Sequence, residues 1–178
     1  MRTTILALLI LMSPLAALAA DKLQPLDIKT GLWETTTTIS TSGQMPIASD
    51  LLAKLPPEQR AKLEERMKAR QAQGDKTNTT THKRCLTKED LAKDPFSNPD
   101  KACTETLVSS TRSKAEMRVN CVHGDVKITG SVLVEALNSE NVKGSGHMVS
   151  TGGGGGNTLN SNTSFTSKWI GPSCGNTK

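Results

Sequence analysis

The chain has 178 residues and a formal charge of +5 at neutral pH, with 35% hydrophobic and 2% aromatic residues, two tryptophans, two phenylalanines and no tyrosine. So mild a charge and so few stacking rings argue against single-strand nucleic-acid binding, and no nucleic-acid partner is expected. The length suits one domain. Its thin core must rest largely on Val, Leu, Ile, Met and Thr and needs covalent reinforcement.

Arg2 precedes an apolar run from Ile5 to Met12, and Ala17-Leu18-Ala19 follows as a small-x-small cleavage pattern. Residues 1–19 are therefore expected to be a signal peptide, leaving 20–178 as one disulfide-stapled β domain with a helical insertion at about 49–73. The run is too short for a bilayer span and Pro14 interrupts it, so no transmembrane anchor is expected after cleavage.

"GLWETTTTIS", Gly31 to Ser40, predicts a half-buried strand with Trp33, Thr35, Thr37 and Ile39 on one face. Gly43 and Pro46 mark a loop. Ser49 or Asp50 can cap a short helix, which Pro56 and Pro57 interrupt; a second, highly charged helix opens at Pro57 and ends before Gly74. Its i,i+4 pairs Glu58–Lys62 and Glu64–Lys68 leave Leu63 and Met67 as a narrow apolar line. The spacing suits a solvated helix lying lightly across one end of the domain, or a lid.

"KTNTTTHKRCL" predicts another Thr-rich strand, and Thr87 three residues before Asp90 approximates a capping box for a short helix. From Cys103 the alternation is that of a β-meander: "CTETLVSS", "AEMRVNC", "DVKITGSVLVEA" and "NVKGSGHMVS". Gly152 to Gly156 reads as a floppy hairpin tip, and "NTLNSNTSFTSKWIG" sets Leu159, Phe165 and Trp169 on one face of a last strand. The fold class is mostly β: an antiparallel meander of about seven strands forming a strongly bent sheet or calycin-like barrel, with one charged helix and one short helix.

Export makes disulfides the expected fate of Cys85, Cys103, Cys121 and Cys174. The favoured pairing is Cys85 with Cys103, bracketing a short helix, and Cys121 with Cys174. The competing one joins Cys103 to Cys121 across a hairpin and Cys85 to Cys174. Either pins the C-terminus to the body of the fold.

"GLWE" at Gly31 to Glu34, "CLTKED" at Cys85 to Asp90, the single Cys103 and Cys121, and the closing "WIGPSC" at Trp169 to Cys174 together resemble the bacterial exported proteins of the domain of unknown function 3617 (DUF3617) family. The resemblance covers nearly all of the chain after the leader. It implies a small periplasmic or secreted domain with no established activity, and so supplies no catalytic residues to carry over. Gly31 and Trp33 also match the Gly-x-Trp of lipocalins, which implies a barrel. "PPEQRAKLEERM" is similar to one copy of the Thr-Pro-Glu-Gln repeats of periplasmic stress chaperones.

No phosphate-binding loop is present, and no spacing supports a carboxylate pair among Glu34, Glu135 and Glu140. Ser145 and His147 read as an exposed strand face. His82 with Cys85 and Cys121 with His123 have the pairing of zinc ligands, but oxidation removes the thiolates, so no metal and no cofactor is expected. What remains is a non-enzymatic binding domain for a small apolar or amphipathic ligand, with Trp33, Met117, Phe165 and Trp169 as candidate lining and the charged helix as cover. The alternative is an envelope interaction or chaperone-like protein that docks through the basic helix 57–73 by Arg60, Lys62, Arg66, Lys68 and Arg70.

Overall fold

The computed structural model describes residues 23–72, 74–92 and 100–177; the expected signal peptide lies outside the described residues. Seven antiparallel strands form a single sheet in the order β2-β1-β7-β6-β5-β4-β3. They are β1 (Gly31–Gly43), β2 (Lys76–Leu86), β3 (Cys103–Ser110), β4 (Lys114–His123), β5 (Val126–Asn138), β6 (Asn141–Gly152) and β7 (Asn157–Gly171). The helices are α1 (Ser49–Lys54), α2 (Pro57–Ala72) and α3 (Lys88–Ala92), so the insertion between β1 and β2 holds two of them. β3 to β7 are the expected meander; β1 then adds to the far side of β7, with β2 outside it.

The register sets Trp33, Ala115, Met117, Cys121, Val126 and Val142 on one inner face, where all six are buried. Large side chains there sit on cross-strand glycines. Gly144 lies opposite Phe165, and a Cβ on it would overlap the phenyl ring and approach the Leu133 carbonyl; Gly130 lies opposite Met148 in the same way. The outer face is polar, and Thr36–Thr81, Thr38–Thr79 and Ser40–Thr77 hydroxyl pairs, each at 2.9 Å, run along the β1–β2 ladder.

The sheet is not closed into a barrel. The reason lies in β2, which is exposed from Lys76 through Arg84; its inward register positions are Lys76, Asn78, Thr80, His82 and Arg84. Closing a seam against β3 would take Lys76 and Arg84 out of water, and the desolvation of those charges opposes the gain of an extra ladder.

The disulfides join Cys85 to Cys174 and Cys103 to Cys121, correcting the favoured pairing of Cys85 with Cys103 and Cys121 with Cys174. Cys103 and Cys121 are directly opposed in the β3–β4 register, with Cα atoms 3.9 Å apart. Cys85 lies one residue before the end of β2, at the opposite edge of the sheet from Cys103. The Cys85–Cys174 bridge closes the longer loop, a separation of 89 residues against 18. In the chain-entropy account it contributes about 4.5 kcal/mol and the shorter one about 3 kcal/mol.

Denaturant unfolding should therefore show the Cys85→Ala/Cys174→Ala variant to be less stable than the Cys103→Ala/Cys121→Ala variant; the reverse order would contradict this reading. Gly144→Ala should lower stability by about 1 to 3 kcal/mol through overpacking. Gly146→Ala, two residues away with its nearest atoms at 3.7 to 3.9 Å, should stay within about 0.5 kcal/mol.

Candidate functional site

The two ends of the sheet differ. At one end β1 begins and β7 finishes, and the residues of the three short signatures meet. Trp33 and Trp169 are cross-strand partners. Each indole N–H donates to the segment before β1, from Trp33 to the Lys29 carbonyl at 2.9 Å and from Trp169 to the Thr30 carbonyl at 3.0 Å. The Lys29 ammonium lies 4.5 Å from the Trp169 ring centroid and pairs with Glu140.

Residues 23–30 continue across this end: the Gln24 N–H donates to Ser110 Oγ, Asp27 to the Arg112 carbonyl and Lys29 to the Ser139 carbonyl. Beyond Gly171 the chain passes over Gly31, whose φ is +126° and where a Cβ would overlap the Gly171 carbonyl, and reaches Cys85. Both indole N–H groups, the Lys29 ammonium and backbone N–H groups of the entering segment are spent on holding this corner together, which makes it a clamp.

The other end is built differently. After Gly43 the Gln44 N–H donates to the Thr158 carbonyl at 2.7 Å, and Ile47 accepts from the Gly154 N–H at 3.3 Å. The glycine tip therefore seats the chain at Ile47, where a Cβ on Gly153 would overlap the Ile47 backbone. α1 has no side-chain cap of its own. Asp125, in the β4–β5 turn, accepts from both the Ser49 backbone N–H, at 2.9 Å, and the Ser49 hydroxyl, and so replaces the expected Ser49 or Asp50 cap.

α2 then returns across this end. Among its described side chains only Leu63 and Met67 are not exposed. Two crevices flank that line. The larger, about 300 Å³, has Met45, Ile47, Leu63, Met67 and Leu159 as apolar lining, with Arg70 and Lys76 as the only charged residues among the described ones. The smaller, about 240 Å³, shares Ile47 and Met67, adds Leu52 and carries Glu64 and Lys68. Met45 is 54% exposed.

The four candidate lining residues lie elsewhere. Trp33 and Met117 are 4% and 5% exposed, Phe165 packs over Gly144 and Trp169 belongs to the clamp; none of them lines either crevice. The basic residues of α2 are all exposed but do not share one face: Lys62, Arg66 and Arg70 follow each other at i,i+4 beside the apolar line, while Arg60 and Lys68 point away from that row. Lys62 pairs with Glu58 at 3.1 Å, as expected.

Glu34, Glu135 and Glu140 each pair with a lysine, respectively Lys83, Lys143 and Lys29. His147 hydrogen-bonds Asn162, and His123 approaches Asp100 at 3.5 Å. Donor atoms of Cys103, Cys121 and His123 lie within 4.8 Å of one another, but the two sulfurs are bonded to each other and are not thiolates. His82 and Cys85 stand on β2, with four strands between it and β4 in the sheet, and do not join that cluster. No described helix is long and apolar enough to cross a membrane.

Sequence reasoning missed Met45, Ile47 and Leu159 as crevice lining, and Asp125 as the anchor of α1. Local patterns carry no signal for a contact that spans 76 residues. The Ser49 hydroxyl, and then its backbone N–H, hold the Asp125 carboxyl below its usual 3.8. A depressed carboxyl stabilises the fold above its unfolded value, and that contribution disappears as pH falls through the folded value. A carboxyl-detected NMR titration should place the Asp125 midpoint below 3.8 and Ser49→Ala should raise it; identical midpoints in the two proteins would contradict the anchor.

A family model described as "Protein of unknown function (DUF3617)" matches residues 28–174. No curated protein and no solved structure matches the chain. The matched stretch opens at the segment that receives the tryptophan N–H groups and closes on the cysteine that completes the clamp. With that frame in place from end to end, the chain belongs to the DUF3617 family.

Proposed function

We propose that this chain is an exported, non-enzymatic binding domain of a bacterial periplasm or secretome that takes a small amphipathic ligand into the crevice between α2 and the sheet end. The observation that carries this reading is the weak attachment of α2. A 16-residue helix with two side chains turned inward buries too little apolar surface to be held firmly, so it can part from Met45, Ile47 and Leu159 to admit a guest. Two methionines at the opening suit a surface that repacks around ligands of different shape. Export is supported by the leader-like residues 1–19 and by two disulfides, which persist in oxidising compartments.

A second reading, docking of α2 on an acidic envelope protein, is favoured by the exposure of Arg60, Lys62, Arg66, Lys68 and Arg70. Its capture of envelope proteins would weaken in salt and disappear on reversal of those five charges; salt-insensitive capture would count against it.

For the binding reading, the neutral fluorophore N-phenyl-1-naphthylamine should brighten with the purified mature protein. Leu63→Ser/Met67→Ser should abolish the signal, while Tm changes little because the crevice lies outside the inner-face core. Undiminished fluorescence in that variant, or none with the parent protein, would refute the crevice as the site.

A further inference from the structure

We infer that the ligand of the larger crevice is a single-chain amphiphile with an anionic head, held by Arg70 and Lys76 while its tail lies along Met45, Ile47, Leu63, Met67 and Leu159. This rests on the crevice being the binding site, as proposed above, and adds the charge of the guest. Among the described residues Arg70 and Lys76 are the only charged ones in the lining, and they share a sign. They come from the two sides of the Gly74 turn, where φ is +67°, so the backbone there brings the end of α2 and the start of β2 to one mouth.

No ion pair among the described residues holds Arg70 or Lys76, as is true of most of the described basic side chains. Lys29, Lys54, Lys62, Lys83 and Lys143 each have a carboxylate within ion-pair distance. Asp75, the acid nearest in sequence, lines not this crevice but the adjoining depression, which shares Gly43, Gln44 and Gly74 with it, and no ion pair joins Asp75 to either cation. Two unpaired cations beside an apolar crevice form a complementary site for a carboxylate, sulfate or phosphate head. The guanidinium offers a two-pronged donor and the ammonium a point charge. A neutral guest would gain only the apolar contact, and a cationic one would be repelled.

The test compares decanoate, decanol and decyltrimethylammonium by calorimetric titration of the mature protein below their micelle thresholds, with vesicles of anionic phospholipid in parallel. Decanoate should bind about tenfold more tightly than decanol. Added salt should erode that advantage, and the ammonium amphiphile should bind weakest. Arg70→Glu/Lys76→Glu, two exposed changes that leave the core untouched, should reverse the order.

Equal binding of decanoate and decanol, unmoved by that variant, would overturn the anionic head and leave the crevice standing. Failure of all three to bind would overturn both. Binding confined to vesicles would replace the pocket with a surface contact.

Discussion

The tail of this protein reaches Cys85 because the first residue of β1 has no side chain. Gly31 sits in a backbone region that L side chains rarely adopt, and any Cβ there would collide with the Gly171 carbonyl and Pro172. Passage over Gly31 lets the end of β7 cross β1 and lock onto β2. Three strands that do not form one hairpin are thereby joined, which gives the β1–β2 arm a covalent hold it could not obtain from its own polar faces. The paired tryptophans complete the joint by fixing the entering segment to both strands through indole N–H donors.

That joint allows the opposite end to stay lightly built. The inner face buries its apolar side chains between β1 and β4, and the Asp125–Ser49 contact with the Ile47–Gly154 hydrogen bond carries the chain over the far rim. α2 contributes almost nothing to this core. Its charges are solvated and its apolar line is two residues long, so its role must be sought in what it covers. A firm clamp at one end and a loosely attached cover at the other is the distribution of stability expected of a domain that opens to bind.

Much of this was legible in the residues. The strands followed from period-two alternation and threonine content, and β2, β3 and β7 begin and end where those patterns do. The capping box formed as read, with Asp90 N–H donating to Thr87 Oγ1 and Asp90 Oδ2 accepting from the Thr87 N–H. The cysteine pairing was not legible from spacing, because Cys103 stands 18 positions from both Cys85 and Cys121; only the register distinguishes them. The alternation allowed both a strongly bent sheet and a closed barrel; the choice turns on which strand lies outermost, and β2 is too polar on both faces to close a seam. At the α2 end, sequence singled out Leu63 and Met67 but not the residues they face. The scarce aromatic rings drew attention to Trp33 and Trp169, whose indoles are committed to the clamp.

The most direct test of the division between clamp and binding end is an amide and indole NMR map of the mature protein as N-phenyl-1-naphthylamine is added. The account predicts perturbed amides at Met45, Ile47, Leu63, Met67 and Leu159, with the Trp33 and Trp169 indole N–H resonances unmoved. Shifts centred on the two tryptophans, with the α2 end silent, would place binding at the clamp and contradict it.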